Sequence, residues 1–167
     1  MRRIAVLDAP SNLGLRPPTA TSVPGCAKAP GALRDQGLLT KLHARDAGCL
    51  TPPRYDPGDW RPGDGVAHAA QIAAYSRALA DRIGAILDAG EFPVVLGGDH
   101  TIALPDVTGV ARHHGMGRVS VVHFDAHADT GDIEFGSLWG HGQPMRRLIE
   151  SGALRGDRFL QVGLRGY

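Results

Sequence analysis

Two stretches decide the fold: PVVLGGDH at residues 93–100 and RVSVVHFDAHAD at residues 118–129. Each begins with a run of apolar residues that predicts a buried strand and ends in polar side chains. The segment between them predicts a helix over residues 102–114, which Gly115 ends. Strands joined by a helix need a crossover connection, so these two strands are expected to run parallel.

The rest of the chain continues this alternation of strands and helices. Further strands are predicted at residues 3–8, 48–50 and 158–164, and further helices at residues 30–43, 66–89 and 144–151. The helix over 66–89 has the clearest amphipathic spacing. We therefore predict an α/β fold with three layers, α/β/α, around a mainly parallel sheet, as a single domain over residues 1–167.

Composition excludes several classes of protein. Of the 167 residues, 43% are apolar and 21% charged, which is typical of a globular domain. Eighteen basic and 17 acidic side chains leave a net charge of +1, so neither a nucleic acid nor an anionic membrane is an expected partner. No apolar run approaches a membrane span. Cys26 and Cys49 do not suggest a disulfide framework, and with no signal-peptide core after Met1 we expect a cytoplasmic protein.

The first polar cluster follows the strand predicted at residues 93–96. Gly97 and Gly98 allow a sharp backbone turn, which presents His100 at the carboxyl edge of the sheet, where ligand sites gather. Asp99 is interpreted as an acceptor within the turn. Taken alone, a histidine after a strand is more often structural than functional.

The second cluster, Asp125-Ala126-His127-Ala128-Asp129, follows the strand at 118–124. In an extended chain, Asp125, His127 and Asp129 point the same way. Two converging carboxylates need a cation, and carboxylates with imidazole favour a hard divalent ion such as Mn(II). The alternative is a solvated acidic loop. His123 is an even number of residues from these three and would point the same way in an extended chain. Because it lies inside the strand, it is interpreted as a packed or hydrogen-bonded histidine.

A third element is Gly140-His141-Gly142-Gln143-Pro144. The flanking glycines leave His141 in an adaptable loop, and a histidine titrates near neutral pH, which suits proton transfer.

Together these motifs resemble the ureohydrolase family, which comprises arginases, agmatinases and related amidinohydrolases. The resemblance extends over the whole chain but is more specific in the two metal motifs than near the amino terminus. It implies two Mn(II) ions, with His100 and Asp129 on one, His127 on the other and Asp125 between them. It also implies that an activated hydroxide attacks the guanidinium carbon, releasing urea and an amine, while His141 shuttles a proton.

The resemblance also bears on the substrate. Arginases carry an asparagine two residues beyond the last motif aspartate, where this chain has Gly131. Ser137 does match an arginase position and is a weak candidate for substrate binding. The run GQPMRRLIESG at residues 142–152 is more similar to agmatinases and guanidino-acid hydrolases. We favour agmatine or a guanidinoalkanoate as substrate, with arginine as the alternative.

The resemblance further implies that the chain is truncated. Family members have a carboxyl-terminal half with two further aspartate ligands and two strands placed between the strands that end at His100 and Asp125. Without them, the sheet is expected to split into two pieces with exposed inner edges, and the chain alone to fold poorly. It would then be a fragment of an amidinohydrolase, one half of a split enzyme, or a non-catalytic metal-binding module, with a chain that is active as it stands as a further alternative. A homo-oligomer is also possible.

Overall fold

The architecture comes from a computed structural model that describes residues 2–19, 22–56, 58, 60–61, 63–134 and 136–165. Both ends of the predicted domain, Met1 and Tyr167, lie outside the described residues. The strands are β1 Ile4–Ala9, β2 Arg45–Cys49, β3 Phe92–Gly97, β4 Val119–Phe124 and β5 Leu154–Val162. The helices are α1 Ala29–Asp35, α2 Leu38–Lys41, α3 Ala69–Asp88, α4 Ala103–His114 and α5 Pro144–Glu150.

Several predicted elements have other bounds in the structure, including β2, which begins at Arg45 instead of residue 48, and two of these differences have local reasons. The helix predicted over residues 30–43 is divided into α1 and α2, because Gly37 adopts a left-handed conformation with φ of 75°. The last strand begins at Leu154, four residues before the predicted start, since Leu154 is buried opposite Val119 on β4.

The strands form two separate parallel sheets, ordered β2-β1-β3 and β4-β5. In the first, Val6 lies opposite Val94 and, in the second, His123 lies opposite Gln161. The predicted α/β fold is confirmed, and the division falls between β3 and β4, where two strands were expected to be missing.

Each sheet has its own apolar core. The first core lies between β1 and α3 and includes Leu7, Leu79 and Ile83, which are nearly inaccessible to solvent. The second lies between β4, α4 and α5 and includes Met145 and Leu148. Helix α4 follows β3 and precedes β4, so it connects the two cores and sets where the ends of β3 and β4 lie.

A slot of about 360 Å³ separates the inner edges of the two sheets. Pro93 and Val95 of β3 line one side, Val119 and Val121 of β4 the other, and α4 contributes Asp106. The Oδ1 atom of Asp106 is buried and has no hydrogen-bond partner among the described residues. Burial raises the pKa of this carboxyl to about 7.

One face of the β4–β5 sheet is uncovered. Val122 lies opposite Leu160 and Phe124 opposite Val162, and these four side chains have exposed fractions between 39% and 78%. Unpaired edges and bare apolar faces favour association with further polypeptide. No helix in the described part of the chain is long and apolar enough to span a membrane.

The raised pKa of Asp106 predicts a pH-dependent stability. Because the folded-state pKa is about 7 and the ordinary value 3.8, the folded protein binds more protons than the unfolded one between these values. Stability should therefore fall as the pH rises from about 4 to 7 and remain low above it. Asp106→Asn should raise the Tm at pH 8 by about 3–10 °C and much less at pH 4, measured by circular dichroism.

The control for this prediction is Asp81→Asn, since Asp81 is 75% exposed and pairs with Arg112 on the neighbouring helix. It should leave the difference in Tm between pH 4 and pH 8 unchanged. An Asp106→Asn variant with the same pH profile as the wild-type chain would show that Asp106 is not the group that carries the effect.

Candidate metal centre

Four side chains converge where β3 and β4 end. His100 follows β3, His123 lies within β4, and Asp125 and Asp129 follow β4. One ligand atom from each lies within 4.8 Å of all the others. We refer to these four residues as the metal cluster, because two imidazoles and two carboxylates converging on one point suit a divalent cation.

Hydrogen bonding and charge hold the metal cluster together. The Nδ1 atom of His100 lies 2.6 Å from Oδ2 of Asp129. Burial opposes the charged imidazole, but this hydrogen bond and the charges of Asp129 and Asp125 outweigh it, so the pKa of His100 is raised. The pKa of Asp125 is lowered, first by the backbone N–H of His127 and then by the neighbouring histidines.

The turn that carries His100 depends on Asp99 and Gly98. The Asp99 carboxylate accepts hydrogen bonds from the Ser11 hydroxyl at 3.0 Å, the Gly14 amide at 3.1 Å and the Thr101 amide at 2.8 Å. The interpretation of Asp99 as a turn acceptor is confirmed. Gly98 packs so closely on the Ser11 backbone that a Cβ atom would collide with its carbonyl oxygen.

The loop after β4 is not extended, which corrects the predicted alternation over Asp125–Asp129. The chain bends after Asp125, whose Oδ1 accepts from the His127 amide at 2.9 Å. Asp129 adopts a left-handed conformation with φ of 51°, and its side chain is only 9% exposed. His127, by contrast, is 71% exposed, with Nδ1 3.4 Å from Oδ1 of Asp125. The bend therefore brings Asp129 back to the metal cluster, while His127 lies beside Asp125 and lines the same cavity as Asp129.

His123 is the site residue that the sequence reasoning missed. It is buried, as predicted, but its Nε2 atom has no hydrogen-bond partner among the described residues and faces the metal cluster. Its ring stacks on His100 with centroids 5.3 Å apart and an interplanar angle of 9°. The sequence feature that indicates its position is its spacing. His123 and Asp125 are two residues apart at the end of one strand, so their side chains lie on the same face of the sheet.

His141 and Ser137 lie in the loop before α5. The Nδ1 atom of His141 is 3.2 Å from the Gly14 carbonyl oxygen, and its exposed ring lines two cavities. One, of about 290 Å³, also borders Asp129 and Glu134. The Ser137 hydroxyl accepts from the Trp139 amide at 3.0 Å, which is a local turn contact. His141 is thus beside the metal cluster, whereas the Ser137 hydroxyl stabilises its own loop.

The second cavity is larger, about 410 Å³, and lies on the other side of His141. It is bordered by the loop after β1 and by Tyr55 and Trp60, with the Arg16 guanidinium 5.8 Å from the Trp60 ring. Glu134 and His141 line both cavities, so the two spaces meet at these residues.

A sequence model of the Arginase family matches residues 2–167, nearly the whole chain. The chain belongs to the arginase family. Its members hydrolyse amidino compounds, and this explains why a cluster suited to a divalent cation lies at the edge of a parallel sheet in this chain. The resemblance seen in the two histidine and aspartate motifs is confirmed.

Similar proteins differ in their named activities. The chain is 40% identical over 103 residues to guanidinobutyrase of Pseudomonas aeruginosa, covering 62% of this chain and 32% of the relative. It is 44% identical over 139 residues to formimidoylglutamase of Aeromonas salmonicida, covering 83% and 36%. The structure of arginase from Bacillus caldovelox matches with a TM-score of 0.80 and 25% identity, covering 99% of this chain and 59% of that one. The chain thus spans between a third and three fifths of these relatives.

The close packing of Gly98 generates a prediction about metal binding. Gly98→Ala should displace the turn that carries His100 and lower the affinity for Mn(II) at least about 10-fold, as changes beside metal ligands commonly do. Isothermal titration calorimetry on the purified chain measures this affinity.

The matched control is Gly84→Ala in the middle of α3, where an added Cβ atom meets nothing within 4 Å. It should bind Mn(II) like the wild-type chain and be stabilised by up to about 1 kcal/mol through helix propensity. Equal Mn(II) affinity in the Gly98→Ala and Gly84→Ala variants would contradict the role given to the turn.

Proposed function

We propose that this chain carries part of the active site of a Mn(II)-dependent amidinohydrolase that acts on a guanidino compound, with a guanidinoalkanoate or agmatine favoured over arginine. The convergence of two imidazoles and two carboxylates within 4.8 Å at the ends of β3 and β4 supports this proposal most directly. The buried Nε2 atom of His123, which has no hydrogen-bond partner in the described part of the chain, also supports a cation at this donor set.

Two Mn(II) ions remain the proposed cofactor, with His100, Asp125, His127 and Asp129 as the proposed ligands. When bound, such a pair supplies a water molecule that is deprotonated near neutral pH. The chain's own residues then orient the guanidinium carbon beside the cluster and hold a proton for the departing amine. His141 is suited to that second task, because its exposed ring lies between the cavity at Asp129 and the larger cavity.

Two observations favour a substrate without the full amino-acid head of arginine. Position 131 is glycine, so it offers no side-chain amide, and the Ser137 hydroxyl is engaged with Trp139. A relative with 40% identity is named a guanidinobutyrase.

A formimidoyl compound is the second candidate, because the 44% identical relative is a formimidoylglutamase. Hydrolysis of such a group breaks the same kind of carbon–nitrogen bond but releases formamide instead of urea. The product therefore distinguishes the two functions.

Completion of the site by further polypeptide is also part of the proposal. The inner edges of β3 and β4 are separated by the slot at Asp106, and one face of the β4–β5 sheet is bare. We propose that a carboxyl-terminal half supplies strands to these edges, with a homo-oligomer as the alternative. The unpaired thiols of Cys26 and Cys49 are in keeping with the reducing cytoplasm, the proposed location.

The test is a product assay with Mn(II) on the chain alone and on the chain co-expressed with the carboxyl-terminal half of the Pseudomonas aeruginosa guanidinobutyrase. The substrates are 4-guanidinobutyrate, agmatine, arginine and N-formimidoylglutamate. We expect urea from guanidinobutyrate or agmatine, no formamide, and a loss of more than about 100-fold in the Asp125→Asn variant, because even the partners of metal ligands contribute 10- to 100-fold.

The control is Asp157→Asn, since Asp157 is 61% exposed on β5 and pairs with Arg155 two residues away. It should retain full activity. Formamide as the sole product would favour the second candidate, and a protein that is folded, binds Mn(II) and releases neither product with the added half would favour the non-catalytic module.

A further inference from the structure

Three successive backbone carbonyls in the loop after β1 each contact a side chain from another part of the chain. The Leu13 carbonyl oxygen lies 3.0 Å from Nδ1 of His68, and the Leu15 carbonyl accepts from the Tyr55 hydroxyl at 2.9 Å. The carbonyl between these two is the one that lies 3.2 Å from Nδ1 of His141. The group that contacts His141 is therefore held from both sides.

His68 and Tyr55 form one buried unit beside this loop. Both side chains are almost completely buried, and their ring centroids lie 4.8 Å apart. His68 directly precedes α3, and its second ring nitrogen, Nε2, lies 2.8 Å from the Asp56 carbonyl oxygen. Because a buried polar group that loses its partner is costly, the contacts of this unit with the loop are firmly maintained.

The peptide unit that carries the Gly14 carbonyl lies between two anchored units. On one side, the Leu13 carbonyl contacts His68, and the Gly14 amide donates to the Asp99 carboxylate at 3.1 Å. On the other side, the Leu15 carbonyl is held by Tyr55. Glycine does not restrict its own dihedral angles as other residues do, so the direction of the Gly14 carbonyl depends on these anchors.

The Gly14 carbonyl decides which nitrogen of His141 carries the proton in the neutral ring. A carbonyl oxygen only accepts hydrogen bonds, so the contact with Gly14 requires a proton on Nδ1 of His141. Nε2 of the neutral ring then has a free electron pair. Which ring nitrogen is protonated is set by the hydrogen bond that the ring makes, and here that bond is made to the loop after β1.

We propose that Tyr55 and His68 are positioning residues, which direct the Gly14 carbonyl so that it keeps the ring proton of His141 on Nδ1. The catalytic meaning of this inference rests on the proposed function. In that reaction, the protonated ring of His141 gives its Nε2 proton to the amine nitrogen as the carbon–nitrogen bond breaks, and the ring returns to the neutral form with the proton on Nδ1. Tyr55 and His68 act through the loop.

The competing explanation is that Asp99 alone fixes the loop. Its carboxylate holds the Gly14 amide, and a Cβ atom on Gly14 would collide with the Thr101 methyl group and the Asp99 carboxylate. In that case, Tyr55 and His68 contribute only to the stability of the fold. The two explanations differ in what happens to the ring proton of His141 when Tyr55 or His68 is replaced.

The experiment determines the position of this proton by nuclear magnetic resonance. Two-bond proton–nitrogen spectra of the metal-free chain, labelled with ¹⁵N-histidine at pH 8, distinguish the two neutral forms, and His141→Asn identifies the signals of His141. In the wild-type chain we expect the form with the proton on Nδ1 to predominate. Tyr55→Phe and His68→Phe should each lower the ratio of the Nδ1–H form to the Nε2–H form at least about threefold, as expected for the loss of a buried hydrogen bond.

Tyr75→Phe is the matched control, since Tyr75 is also buried and its hydroxyl donates to a backbone carbonyl, that of Leu50, at 2.7 Å. It should lower the Tm as Tyr55→Phe does but leave the ratio for His141 unchanged. A wild-type chain in which the Nε2–H form predominates, or an unchanged ratio in Tyr55→Phe, would overturn the proposal. These two measurements decide the question even if His68→Phe does not fold. Because no turnover is measured, a failure of the hydrolase proposal leaves this result unaffected.

Discussion

The Asp99 carboxylate is the contact on which the site depends. It joins the loop after β1 to the turn after β3 through Ser11, Gly14 and Thr101. The Gly14 carbonyl in turn contacts His141, so one buried carboxylate positions both His100 and the loop on the opposite side of the site. A buried carboxylate whose two oxygens both accept hydrogen bonds is held rigidly, and it therefore fixes the positions of His100 and His141 relative to each other.

The second constraint comes from β5. Its last residue, Val162, accepts from the Asp125 amide at 3.1 Å, and Gln161 donates to the Ala128 carbonyl. Beyond the strand, the Arg165 amide donates to the Ala126 carbonyl at 2.9 Å. These contacts hold the loop after β4 in its bent form, including the left-handed Asp129. Backbone in that region is unfavourable for a non-glycine residue and is maintained only where surrounding contacts impose it.

The metal cluster lies at the boundary between two incompletely covered units. His100 belongs to the sheet of β1, β2 and β3, and the other three residues belong to β4 and its loop. Helix α4 packs on α3 and α5 and is the element that fixes the distance between the two sheets. The slot beside it leaves the buried Oδ1 atom of Asp106 without a hydrogen-bond partner among the described residues.

The sequence by itself determined the fold class, the parallel strands and four of the residues near the site, because apolar runs followed by polar residues are local signals. It also determined that Asp99 would act within its turn. Only the tertiary structure decided that His123 faces the cluster and that a bend brings Asp129 back to it. The bend after Asp125 depends on hydrogen bonds to Val162, Gln161 and Arg165, more than thirty residues away, and no local pattern encodes contacts at that separation.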